Sequence, residues 1–306
     1  MRIPMVVVLG AMAACGTDGA DTVLDGQMLP DGYIRYEAAP VTLQPGETKQ
    51  FVQWVSGPID RDVDLVDVRG SQGPGGHHAV LFASPDVEPI GTTRDWTGAD
   101  QVTARFLGGV GGEGISGGDT PLPPGTVFRI PAGSGFYIQT HYLNASDEPM
   151  TSGSTLEIKI ADPSPDVTVL SMFVSSTVDI KVGPGTSEQV LTCDIQDDTA
   201  LIMYVNHIHE TGTSVSTVMH PKDGGGEQML KQDSKWNYEW TTHPNFITTA
   251  LDQPLMLHKG DQIVTTCNWN NQSGRTLGFP DEMCAFLTFY VGTKDRACVN
   301  GKWLDL

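Results

Sequence analysis

Two histidines stand two positions apart in VNHIHETG, residues 205–212. Neutral imidazole offers a lone pair to a transition metal, so the spacing matters. The preceding ALIMY is apolar and reads as a strand. On a strand, positions i and i+2 share a face, which aims His207 and His209 at one point while Ile208 turns the other way. The pair alone is equally a polar stripe on an ordinary strand.

A second cluster lies in GPGGHHAVLF. Adjacent strand residues face opposite sides, so His77 and His78 cannot both reach one metal from mid-strand. The GPGG before them permits a sharp turn or bulge at the strand entrance, which would change that. As a bare dipeptide, HH is better explained by one buried, hydrogen-bonded histidine and one exposed. His141, in GFYIQTHYLN, shares a strand face with Tyr137 and Gln139, opposite Phe136, Ile138 and Thr140. With His77 and His78 it would make an all-nitrogen site suited to copper or zinc. Met283, in FPDEMCAF, is either core filler or a thioether ligand; with His207 and His209 it would favour Cu(I). His220, His243 and His258 stand alone and read as surface or core residues.

The elements that must hold these groups are strands. Gly 35 and Pro 20 are high in 306 residues, charged residues are 18%, and no long helical periodicity appears. KQFVQWV, DVDLVDVRG, HHAVLFAS, TVFRIPAG, GFYIQTHYLN and STLEIKIA make up the first half. VTVLSMFVS, EQVLTCDI, ALIMYVNHIHE, SVSTVMHP, QIVTTCNWN and MCAFLTFYVG make up the second. ADPSPDV, residues 161–167, is the best boundary. The expected fold is all-β, two β-sandwich domains spanning 33–162 and 163–306. Residues from about Pro85 to Pro124 read as irregular, with FLGGVGGEGISGGD too glycine-rich for a strand and expected to be a mobile surface loop.

The net charge of −19 leaves nothing basic to neutralise phosphates, which excludes nucleic acid and disfavours anionic headgroups. The N-terminus, MRIPMVVVLGAMAACGTDGADT, has Arg2 and an apolar stretch too short to span a bilayer. Its small residues before Cys15 resemble a lipobox. We therefore expect a signal over 1–15, lipidation at Cys15, a tether over 16–32 and an exported, membrane-anchored protein, periplasmic or at the cell surface. A plain secretory signal is the alternative. The membrane would then be a partner only through the lipid. Cys193, Cys267, Cys284 and Cys298 remain, an even number that favours disulfides in an oxidising compartment; their spacing lacks CxxC and leaves three connectivities open.

HHAVLF, IQTHY, HIHETG and DEMC, in that order over nearly the whole mature chain, resemble the copper type II, ascorbate-dependent monooxygenases, the family of peptidylglycine α-hydroxylating monooxygenase and dopamine β-monooxygenase. CNWNNQSGRTLGFPDEMC is also similar. The resemblance implies two jelly-roll-like sandwiches across a solvent cleft and two copper ions per chain. His77, His78 and His141 would bind an electron-storing copper; His207, His209 and Met283 would bind the catalytic one. Gln139 matches a glutamine of the family's HY strand that has been discussed as part of the path between them; it is equally read as an ordinary strand residue. The implied disulfides are Cys193–Cys298 and Cys267–Cys284, the latter closing a loop worth about 3 kcal/mol. The implied reaction is hydroxylation of a C–H bond of a small organic substrate with O2, ascorbate or an equivalent supplying electrons. Peptide-amidating members have an arginine two residues before the HxH pair, and an asparagine and a tyrosine after the Met–Cys; here these positions hold Val205, Ala285 and Leu287. Without the guanidinium a glycine-extended peptide is disfavoured. A non-catalytic copper lipoprotein for storage, sensing or scavenging needs the same six ligands. A metal-free structural or carbohydrate-binding sandwich requires the four motifs to coincide by chance.

Overall fold

The computed structural model describes residues 25–305 except 98–99, 115–117, 119, 242 and 280. The signal segment and Cys15 lie outside the described residues. Almost all regular structure is strand, with one helical turn at Asp100–Thr103 and a 3-10 turn at Tyr238–Thr241. Every strand-like run named above forms a strand.

The largest sheet has twelve strands and crosses both halves of the chain. Its N-terminal part includes Ile34–Glu37, Ser154–Ala161, Val63–Gln72 and Thr126–Ile130. Its C-terminal part includes Thr168–Ser176, Cys284–Val291 and Thr199–Ile208. The two parts join where Thr126–Ile130 pairs in parallel with Thr168–Ser176. Within the segment read as a tether, Gln27–Met28 pairs with Ile34–Glu37 at the sheet edge.

A five-stranded sheet covers the N-terminal part. It runs Thr93–Arg94, Thr48–Trp54, Gly135–Leu143, Gly76–Ser84, Arg105–Gly111. Leu81, Phe136 and Ile138 from it meet Leu65, Leu156 and Ile158 in one buried core. A four-stranded sheet covers the C-terminal part, in the order Gly185–Asp194, Gln262–Asn271, Gly212–His220, Gln228–Asp233. Between them Tyr204, Phe286 and Ile263 form one cluster, and Ile208, Val215 and Trp269 another.

The glycine-rich stretch corrects the expectation of a loop. Arg105–Gly111 is a strand, paired antiparallel with Gly76–Ser84. Here glycine permits close approach rather than mobility. A Cβ on Gly109 would meet the Ala79 carbonyl oxygen at 2.5 Å. At Gly108, φ is +144° and a Cβ would press Val68 Cβ at 3.0 Å.

Candidate metal centres

The pair His77–His78 sits at a β-bulge. In the register between Gly76–Ser84 and Gly135–Leu143, His141 faces His78 and Tyr142 faces Gly76, so His77 is the extra residue. The bulge breaks strand alternation there and brings both rings to one side. Gly75 enters it at φ +71°, and a side chain on Gly75 would collide with the Leu143 carbonyl oxygen at 2.6 Å. His141 completes the group: one ring nitrogen from each of the three histidines lies within 4.8 Å of the others. Ring centroids are 4.8 Å apart for His77–His141 and 5.2 Å for His78–His141.

His207 is near the end of its strand and His209 just beyond it, with ring centroids 5.1 Å apart at 89°. Ile208 turns into the opposite core, fully buried. The strand Cys284–Val291 runs alongside, His207 opposite Ala285 and Ile208 opposite Cys284. One step further in that register lies Met283, which lines the same cavity as His207 and His209.

Glu282 holds this corner together, and the sequence reading gave it no role. It is fully buried. Its Oε2 accepts from the His209 backbone N–H at 3.1 Å and from Trp269 Nε1 at 3.0 Å. Its Oε1 accepts from the Thr211 N–H at 2.8 Å and the Thr211 hydroxyl at 2.6 Å. The aromatic of the CNWN run is thus a donor to the carboxylate beside Met283. The His209 ring meets the Asp281 carbonyl oxygen through Nδ1 at 3.1 Å, a contact that orients the imidazole. Cys267 and Cys284 form a disulfide next to Met283, and Cys193 and Cys298 form the other.

Residues 166–302 match the family model of the copper type II ascorbate-dependent monooxygenase C-terminal domain. That match supports the family and a copper- and ascorbate-dependent oxidoreductase as the general kind of function. It spans His207, His209, Met283 and both disulfides; the three N-terminal histidines precede it. No curated protein matches the chain. Similar solved structures include the major capsid protein P2 of bacteriophage PM2, at TM-score 0.32 and 9% identity over 85% of this chain and 97% of that one. PNGase F, a glycosylasparaginase from Flavobacterium meningosepticum, gives TM-score 0.32 and 7% identity over 87% and 97%. At these scores neither likeness bears on fold or function.

All five histidines are held neutral. Burial lowers His141 to about 4, with His77 adding like-charge repulsion, and burial with His209 lowers His207 to about 3. Burial likewise holds His78 far below its ordinary value and lowers His77 and His209. Neutral, convergent imidazoles fit a late transition metal, since each presents a lone pair rather than a proton.

His78 from one histidine group and His207 and His209 from the other line one cavity of about 200 Å³ between the five-stranded sheet and the C-terminal part of the large sheet. His78 and Gln139 line one side; His207, His209 and Met283 line the other. Its walls are mostly apolar side chains. The reason is strand alternation: Val80 and Phe82 face away from the core that buries Leu81, and Leu287 and Phe289 face away from Phe286 and its cluster.

His243 also departs from the sequence reading, which set it apart. It shares an outer hollow with His77, Tyr238 and Trp240, close enough that its charge would depress His77. Glu210 Oε1 comes within 3.8 Å of His77 Nε2, linking the HxH turn to the other histidine group. These neighbours come from distant sequence and carry no local signal. His220 and His258 are surface residues beside Glu227 and Asp198.

Proposed function

We propose that the chain is a copper-dependent monooxygenase that hydroxylates a C–H bond of a small organic molecule with O2, using ascorbate or an equivalent one-electron donor. The observation that carries this reading is that His78 of one histidine group lines the same cavity as His207, His209 and Met283 of the other. The family match over residues 166–302 supports it.

In this reading His77, His78 and His141 hold an electron-storing copper, and His207, His209 and Met283 hold the catalytic one. Bound copper supplies the one-electron chemistry by which one oxygen atom enters the substrate and the other leaves as water. The chain's own residues do the rest. Neutral imidazoles keep their lone pairs available. Thioether at Met283 favours the reduced ion. Glu282, Trp269 and Thr211 fix the turn that carries His209. Gln139 lines the same cavity and is a candidate for the path between the two groups. The apolar walls give bound water few partners beside the proposed ligands.

The proposal includes an N-terminal copper-binding sandwich over 33–162 and a C-terminal catalytic one over 163–306, each jelly-roll-like. It also includes export and lipid anchoring at Cys15. The test is copper stoichiometry of the mature protein beside a His207→Ala, Met283→Ala double variant. Two coppers falling to one is expected. No copper in the wild type after reconstitution with both oxidation states would overturn the reading. Substrate-dependent hydroxylation then separates an enzyme from a copper store.

A further inference from the structure

We infer that the molecule taken into the shared cavity is neutral and apolar, aromatic or hydrocarbon-like, and not an amine. Binding needs only the cavity; the hydroxylation of what is bound rests on the copper reading above.

The walls come from opposite sheets. Val80, Phe82 and Phe106 stand on one side, Val174, Leu287 and Phe289 on the other. Among the described residues that line the cavity there is no Asp, Glu, Lys or Arg. The nearby charges are already engaged or lie outside. Both oxygens of Glu282 are taken by four donors. Arg105 pairs with Asp295 at 2.8 Å and donates to the carbonyl oxygens of Arg129 and Leu170. Glu210 stands in the turn after His209 with its side chain 70% exposed. An ammonium entering here would give up hydration without gaining a counter-charge, with or without copper bound.

A neutral ring faces no such cost, and the cavity suits one. Engineered apolar cavities of about 150 Å³ stay dry and take up benzene; this one is about 200 Å³. Its aromatic walls already pack ring on ring, Phe106–Phe289 at 6.2 Å and Phe246–Phe289 at 5.7 Å between centroids. Of the lining rings, Phe106, Phe246 and Trp96 are only partly buried and can add contacts to a guest. Leu287, where peptide-amidating relatives have a tyrosine, supplies apolar surface within reach of the His207–Met283 end.

The experiment is calorimetric titration of the mature protein, copper-free and copper-loaded, with ethylbenzene and with 2-phenylethylammonium. The two probes share ring and chain length and differ in charge. Saturable ethylbenzene binding at least ten-fold tighter than the ammonium is expected in both forms. Val174→Phe and, separately, Leu287→Phe fill the space with apolar atoms and should weaken ethylbenzene at least ten-fold. If one variant fails to fold, the other and the wild-type pair of titrations still decide. Absent ethylbenzene binding, ammonium binding as tight or tighter, or binding unchanged in a folded filled variant would each overturn the inference. Copper counts on the same samples keep the two readings apart. Two coppers without ethylbenzene binding removes this inference alone; ethylbenzene binding by a protein that takes up no copper on reconstitution supports it and removes the monooxygenase reading.

Discussion

Glu282 accepts the backbone N–H of His209 at 3.1 Å, so a fully buried carboxylate positions the second half of the HxH pair. Glu282 also precedes Met283, and one group therefore ties two of the three proposed ligands of the second centre, His209 and Met283, to Trp269 and Thr211.

Glu282→Ala should leave the Trp269 N–H and two backbone N–H groups without their acceptor. Each unsatisfied buried donor costs about 1–3 kcal/mol, so denaturant unfolding should show a loss on the order of 3 kcal/mol or more. The copper-reconstituted variant should lose the second copper and keep the first. Retention of two coppers would mean the carboxylate supports the fold but not the centre.

Met283→His replaces a soft thioether with an imidazole. Competition titrations should shift the second site from Cu(I) toward Cu(II) or zinc and largely abolish turnover. Normal turnover in this variant would remove Met283 from the site.

The histidine pKa values set a direction with pH. His141 and His207 fall to about 4 and about 3 in the folded chain, against about 6.5 unfolded. Between those limits the unfolded chain binds more protons, so the stability of copper-free protein should fall as pH drops from about 6.5 toward 4. Protons and copper compete for the same nitrogens, so copper affinity should fall over that range too. His141→Gln with His207→Gln should flatten the slope; a Tm curve of unchanged slope would refute the assignment.

Gly109→Ala places a methyl 2.5 Å from the Ala79 carbonyl oxygen. Overpacking of this kind costs about 1–3 kcal/mol. Thermal melts should show the loss even though the substitution would be mild in a true loop.

Each of the four cysteines of the C-terminal half is in a disulfide. Intact protein should therefore show no reactive thiol beyond Cys15. Reducing Cys267–Cys284 should cost about 3 kcal/mol, by the chain-entropy model for a loop of its size.

Strand identity was legible because alternation and β-rich composition are local properties. HHAVLFAS, GFYIQTHYLN and ALIMYVNHIHE each showed which side chains share a face, and the structure keeps Ile208 and Ile138 in cores away from the histidines. The bulge at His77 was foreshadowed by GPGG, since glycine relaxes φ where the chain must turn. The ligand types were legible for the same reason: histidine and methionine carry their chemistry wherever they lie.

Tertiary structure alone decided the rest, because it depends on separations that no local pattern encodes. The glycines of FLGGVGG look like a loop until Ala79 and Val68 crowd them. Glu282 looks like an ordinary surface acid until Trp269 and Thr211 close over it. The cavity lined by His78, His207 and His209 is walled by Phe82 from one sheet and Phe289 from the other, some two hundred residues apart. The sequence by itself determined which residues can bind a metal and which strands carry them. Only the packing of two sheets determined that residues of both groups line one apolar cavity, since that depends on which outer faces meet.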